Sequence, residues 1–131
     1  MKGFGLKSGA LASSVAHDSH NIIVVGTNDK DMMTAAIEVA RIGGGQAAVE
    51  DDEVKAALPL PIAGLMSPAP LDRVRRGIED LTRAARALGC LLPDPFMTMS
   101  FLALPVIPAL KITDQGLVDA VAFKIVPLFE E

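Results

Sequence analysis

The stretch Asn21-Ile22-Ile23-Val24-Val25-Gly26-Thr27-Asn28-Asp29 sets the reading of the whole chain. Four consecutive β-branched residues bounded by Asn and Gly predict a buried strand. A helix follows at once. Thr27 or Asn28 can cap it, Asp29 and Asp31 sit in its first turn where the helix dipole favours carboxylates, and Arg41 sits in its last. Met33, Ile37 and Ala40 recur at helical spacing, and Gly43-Gly44-Gly45 stops the helix. A phosphate-binding role for these glycines is disfavoured, because they follow a helix and no Lys-Ser or Lys-Thr pair comes after them.

On either side the pattern continues. Residues 46–50 and 53–58 predict two strands joined by the tight turn Asp51-Asp52, a hairpin. Upstream, residues 10–17 are small and apolar and predict a strand. Downstream, Pro59 and Pro61 keep residues 58–66 out of any central strand. A long helix is predicted over residues 70–88, with Leu71, Val74, Ile78, Leu81, Ala85 and Leu88 as its apolar stripe and Gly89 closing it. Residues 95–104 read two ways: Asp94-Pro95 starts a helix, whereas Met97, Met99, Phe101 and Ala103 alternate like a strand. Asp114-Gln115-Gly116 predicts a turn, and residues 122–128 predict a final strand. Strands and helices alternate irregularly. This favours an α+β fold: one domain over residues 1–131, a mixed β-sheet with two main helices packed on one face. The stripe of the second helix is expected to cover the sheet at Ile22 to Val25, so that Ile78 and Val24 are shielded.

Composition narrows the function classes. The chain has 131 residues, 50% of them hydrophobic, with a mean hydropathy of +0.40 and 21% charged, which excludes a disordered chain. The opening residues predict no signal peptide, and no apolar run approaches the roughly 20 residues of a membrane span. Net charge is −4, with no Trp or Tyr and five Phe, so the basic, aromatic surface of a nucleic-acid binder is missing. Cys90 is the only cysteine, which fits a reducing, cytoplasmic setting. Such hydropathy in so small a chain also suggests that part of its apolar surface is meant for another domain or subunit.

One dense polar cluster remains, Ser13-Ser14-Val15-Ala16-His17-Asp18-Ser19-His20-Asn21, which holds both histidines of the chain. Three readings are open. His17, Asp18 and His20 could supply three metal ligands, but nothing else in the chain reinforces them. A Ser-His-Asp group is a weaker reading, because triads are assembled from residues distant in sequence. The third reading is a polar turn whose side chains bond to backbone.

The cluster and its surroundings resemble a known family. Lys2-Gly3-Phe4-Gly5-Leu6, Ala12-Ser13-Ser14-Val15-Ala16-His17-Asp18-Ser19-His20-Asn21-Ile22 and Val25-Gly26 look like the opening of the C-terminal domain of microbial adenine deaminases. Leu58-Pro59-Leu60-Pro61-Ile62-Ala63-Gly64-Leu65-Met66 and Asp94-Pro95-Phe96-Met97-Thr98-Met99-Ser100-Phe101-Leu102-Ala103-Leu104-Pro105-Val106-Ile107-Pro108 look like later parts of the same domain. The resemblance implies hydrolysis of adenine to hypoxanthine and ammonia in purine salvage. It also implies a metal-bearing amidohydrolase (β/α)₈ barrel, charged with manganese or iron, whose His, Glu and Asp ligands have no counterpart here. This chain is then an accessory domain without a metal or cofactor of its own, inactive alone. Its implied partners are the barrel and, for the whole enzyme, adenine; neither nucleic acid nor membrane is expected. A cytoplasmic homo-oligomer is expected, with the loop of His17, Asp18 and His20 facing the active site. The alternative is a non-catalytic structural or oligomerisation domain.

Overall fold

A computed structural model describes residues 3–129. The four-stranded sheet is built from β1 (Ala10–Ser13), β2 (Ile23–Gly26), β3 (Gly45–Glu50) and β4 (Glu53–Pro59) in the order β2-β1-β3-β4. Its two long helices are α1 (Asp29–Arg41) and α2 (Leu71–Ala87), and a short helix, α3, covers Pro95–Met99. A second, three-stranded sheet is made of β5 (Leu110–Thr113), β6 (Gly116–Asp119) and β7 (Lys124–Val126).

The α+β class expected from the sequence is what the chain adopts, but two details differ. Every strand pair is antiparallel. β2 and β3 run in the same direction across the α1 crossover, yet β1 inserts between them, so no parallel ladder forms. The two helices also lie on opposite faces of the sheet. Ala10 and Ala12 of β1 and Ala47 and Val49 of β3 meet α1 through Ala35 and Val39. Leu11 and Ala48, which alternate with them, meet α2 through Leu81, Ala85 and Leu88. The physical reason lies in the strands: Ala10-Leu11-Ala12 and Ala47-Ala48-Val49 are apolar at every position, the signature of strands covered on both faces.

The helix faces shift accordingly. In α1, Met33 and Ile37 are exposed and the small residues Ala35 and Val39 are buried. In α2 the stripe is buried at Leu81, Ala85 and Leu88 and partly at Val74, whereas Leu71 is 82% exposed and Ile78 half exposed. Val24 is partly shielded, by the α1 cluster instead of by α2. Residues 95–99 are helical because Asp94 accepts from the Met97 N–H at 3.0 Å and Pro95 tolerates the first helical position. Pro59 sits in an edge strand, where a missing donor is harmless. The β3–β4 turn places both Asp51 and Asp52 at positive φ, as a two-residue type I′ hairpin requires.

That turn is tied to α1. Asn28 Oδ1 accepts from the Asp31 N–H at 2.9 Å and its amide donates back to the Asp31 carboxylate at 2.7 Å. The other Asp31 oxygen accepts from the Asp52 N–H at 2.8 Å. Donation from the Asn28 amide, then from the Asp52 N–H, holds Asp31 below its ordinary value. Asp52 is lowered by the Thr34 hydroxyl and Lys30, and Glu38 by Arg41. A depressed folded-state value contributes stability above the unfolded value and loses it as pH falls through the folded one. Thermal stability should therefore decline below about pH 4, the ordinary carboxylate range. Asp31→Asn should reduce that acid-side slope; scans at stepped pH values that show an unchanged slope would contradict this.

Candidate functional site

Residues 14–22 connect β1 to β2 at one end of the four-stranded sheet. At the same end lie Gly45, the loop that follows β4 and the C-terminus of α3. Ser13 and Ser14 are buried and hydrogen-bonded into this frame. Ser13 Oγ accepts from the Val15 N–H at 3.1 Å. Ser14 Oγ donates to the Gly64 carbonyl at 2.6 Å and accepts from the Gly45 N–H at 2.8 Å. Among the described residues no hydrogen bond joins a serine hydroxyl to His17 or His20, so the Ser-His-Asp reading finds no support in the geometry.

The three loop residues singled out in the sequence part company. His20 is bound into its own turn: its N–H donates to the Ala16 carbonyl at 2.6 Å, and its Nδ1 accepts from the Ala16 N–H at 3.3 Å. His20 also takes a left-handed backbone conformation, φ +53°, uncommon for a side-chain-bearing residue. His17 is anchored through its N–H to the Ser100 carbonyl at 2.7 Å. Its half-buried ring sits 5.1 Å from Phe101 and 5.3 Å, edge-on, from His20. Asp18 is exposed and takes part in none of the ion pairs among the described residues.

His17, Asp18, Ser19 and Asn21 line a cleft of about 300 Å³ whose far wall is the β5–β6 turn, with Thr113, Asp114 and Gln115. His20 does not line it. It buttresses the ring that does. A second cleft of about 490 Å³, lined by Asn21, Ile23, Leu102, Ile112 and Thr113, shares part of this wall. The sequence reading found the near wall but missed Thr113, Asp114 and Gln115, because it saw in residues 114–116 only a turn and had no signal for where that turn folds back. Among the described residues no three His, Cys, Asp or Glu side chains converge to hold a metal ion. The donor set among the described residues therefore does not fit a manganese or iron site.

Residues 1–124 match the family described as the adenine deaminase C-terminal domain. Curated relatives cover almost the whole chain. It is 59% identical over 130 residues to an adenine deaminase of Desulfatibacillum aliphaticivorans, covering 99% of this chain and 23% of that protein. It is 58% identical over 127 residues to one of Dehalococcoides mccartyi, covering 97% and 22%. Over 128 residues it is 56% identical to one of Bdellovibrio bacteriovorus, covering 98% and 22%. The chain thus spans less than a quarter of the length of these relatives, and it belongs to the adenine deaminase C-terminal domain family.

Proposed function

We propose that this chain is a single accessory domain of a cytoplasmic adenine deaminase that converts adenine and water to hypoxanthine and ammonia in purine salvage. On this reading it is inactive alone. The reaction and its manganese or iron belong to an amidohydrolase barrel in the portion that precedes the matched part of the relatives. The observation that carries the reading is the split within the histidine loop. His20 is spent on its own turn, whereas His17 and Asp18 line a cleft of mixed character, and among the described residues neither side chain has a hydrogen-bond or ion-pair partner. A barrel presents its site at the C-terminal ends of its strands. A domain closing over that mouth excludes water and strengthens the electrostatic interactions within it. On this reading His17, its backbone held by the Ser100 carbonyl and its ring packed beside Phe101, is the side chain that positions a group there.

The test uses a chimera in which this chain replaces the matched 130 residues of the Desulfatibacillum aliphaticivorans enzyme. His17→Ala should lower kcat/KM for adenine by roughly tenfold, the scale of partners that orient a site from behind its ligands, with little loss of stability. His20→Ala should act the other way, costing stability through the lost turn bond. Unchanged kinetics in His17→Ala would reduce the loop to a structural connection, in keeping with a non-catalytic domain.

A further inference from the structure

The end of the described chain has no core of its own. Not one of residues 101–129 is buried. Their strands pair in a register that sets Leu110, Ile112, Leu117 and Val126 on one face and Val118 and Ile125 on the other. Ile112 is 60% exposed, Ile125 is 61% exposed and Phe123, in the β6–β7 turn, 76%. Both β5 and β7 are open edges. Strands of three or four residues in a three-stranded sheet need a covered apolar face to persist. Each face thus leaves large apolar side chains uncovered, Leu110 and Ile112 on one and Ile125 on the other, and exposed apolar surface of this kind marks an interaction surface. On the first face Asp119 and Lys124 stand opposite each other in the register and offset one another, while the second face carries Lys111, so the first face fits an uncharged, apolar partner.

Resting on the reading of the chain as an accessory domain, we propose that the β5–β7 sheet is the surface on which the preceding portion of the longer adenine deaminase chain docks. Two observations favour that occupant over a second copy. The relatives carry more than three quarters of their length outside the matched part, so a tethered partner is present at high effective concentration. The sheet is also continuous with the candidate site, because its β5–β6 turn forms the far wall of the His17 cleft. Whatever seats on the sheet therefore meets the cleft. A two-fold contact between identical copies would match one face to itself and leave the other open.

Amide hydrogen exchange on the chimera and on this chain alone tests the surface. Residues 110–126 should exchange at least tenfold more slowly in the chimera. Ile112→Lys together with Ile125→Lys should abolish that protection, whereas Arg76→Glu on α2 should leave it intact. Because the comparison of the two wild-type proteins needs no variant, it decides the matter even if the lysine variant fails to fold. Equal exchange in both proteins overturns the docking surface, and so does protection in the chain alone that rises with its concentration, which would make a second copy the occupant. Adenine turnover by the same chimera separates this from the underlying reading: if turnover needs this chain while residues 110–126 stay unprotected, only the docking surface falls.

Discussion

Gly45→Ala is expected to lower folding stability by about 3 kcal/mol or more, the combined scale of a strained backbone and an overpacked contact. Gly45 has φ +147°, a region that L side chains rarely adopt, and an added Cβ would lie 2.1 Å from the Leu58 carbonyl oxygen and 2.9 Å from Ile42 Cδ1. The first of these neighbours is backbone and cannot swing aside. Gly45 also pairs with Pro59 across the β3–β4 ladder and exchanges hydrogen bonds with Ser14. Moving it would shift the frame that holds the histidine loop. Gly43→Ala is the internal comparison. Its φ is +76° but an added Cβ would meet nothing within 4 Å, so only the cost of the left-handed backbone remains, about 1 kcal/mol. Urea unfolding of the two variants should separate their midpoints clearly, and coincident midpoints would contradict this packing.

Leu81→Ala should cost about 2–5 kcal/mol, the range for a fully buried leucine whose cavity closes only in part. Leu81 is completely buried on the inner face of α2, in the cluster that contains Leu11, Leu58, Leu88 and Met99. For a domain of this size the thermal midpoint should drop by roughly 10 °C. Leu71 belongs to the same sequence stripe but is exposed, so Leu71→Ala should stay within about 0.5 kcal/mol of wild type. If the two substitutions proved equally damaging, the first turns of α2 would be packed against something, and the placement of its buried face would be wrong.

These two comparisons mark where the sequence was readable. Local chemistry was. A polar cap at Thr27 or Asn28, the Asp51-Asp52 turn, Gly89 after α2 and the exclusion of residues 58–66 from the sheet interior all follow from what single residues allow the backbone to do. Long-range packing was harder to see. α1 meets the sheet through alanines and one valine, and large apolar residues dominate a periodicity count, so Met33 and Ile37 pointed to the wrong face. The alternation of Met97, Met99 and Phe101 imitated a strand, while the decisive signal was the capping Asp94 with Pro95. Strands β5 and β6 left almost no trace, since a sheet without a core of its own lacks the in–out pattern by which strands are recognised.

The candidate site divides in the same way. Clustering of both histidines beside a carboxylate was visible at once, and so was the likeness of the surrounding motifs to the adenine deaminase C-terminal domain. That His20 faces its own turn while His17 faces a cleft depends on the Ala16 and Ser100 hydrogen bonds, which bring together backbone groups that residue types alone do not mark. The opposite wall, Thr113 to Gln115, arrives from nearly a hundred residues away along the chain.

The most direct measurement of the central claim is ammonia release from adenine, with manganese or iron supplied, by three proteins: this chain alone, the preceding portion of the Desulfatibacillum aliphaticivorans enzyme alone, and the chimera that joins them. A water nucleophile at neutral pH needs a metal or a strong base beside it, and among the described residues no three His, Cys, Asp or Glu side chains gather to hold a metal. The chain alone should be silent, and the preceding portion should work at least tenfold more slowly than the chimera. Turnover by this chain alone, or a preceding portion as fast as the chimera, would contradict an accessory role in adenine deamination.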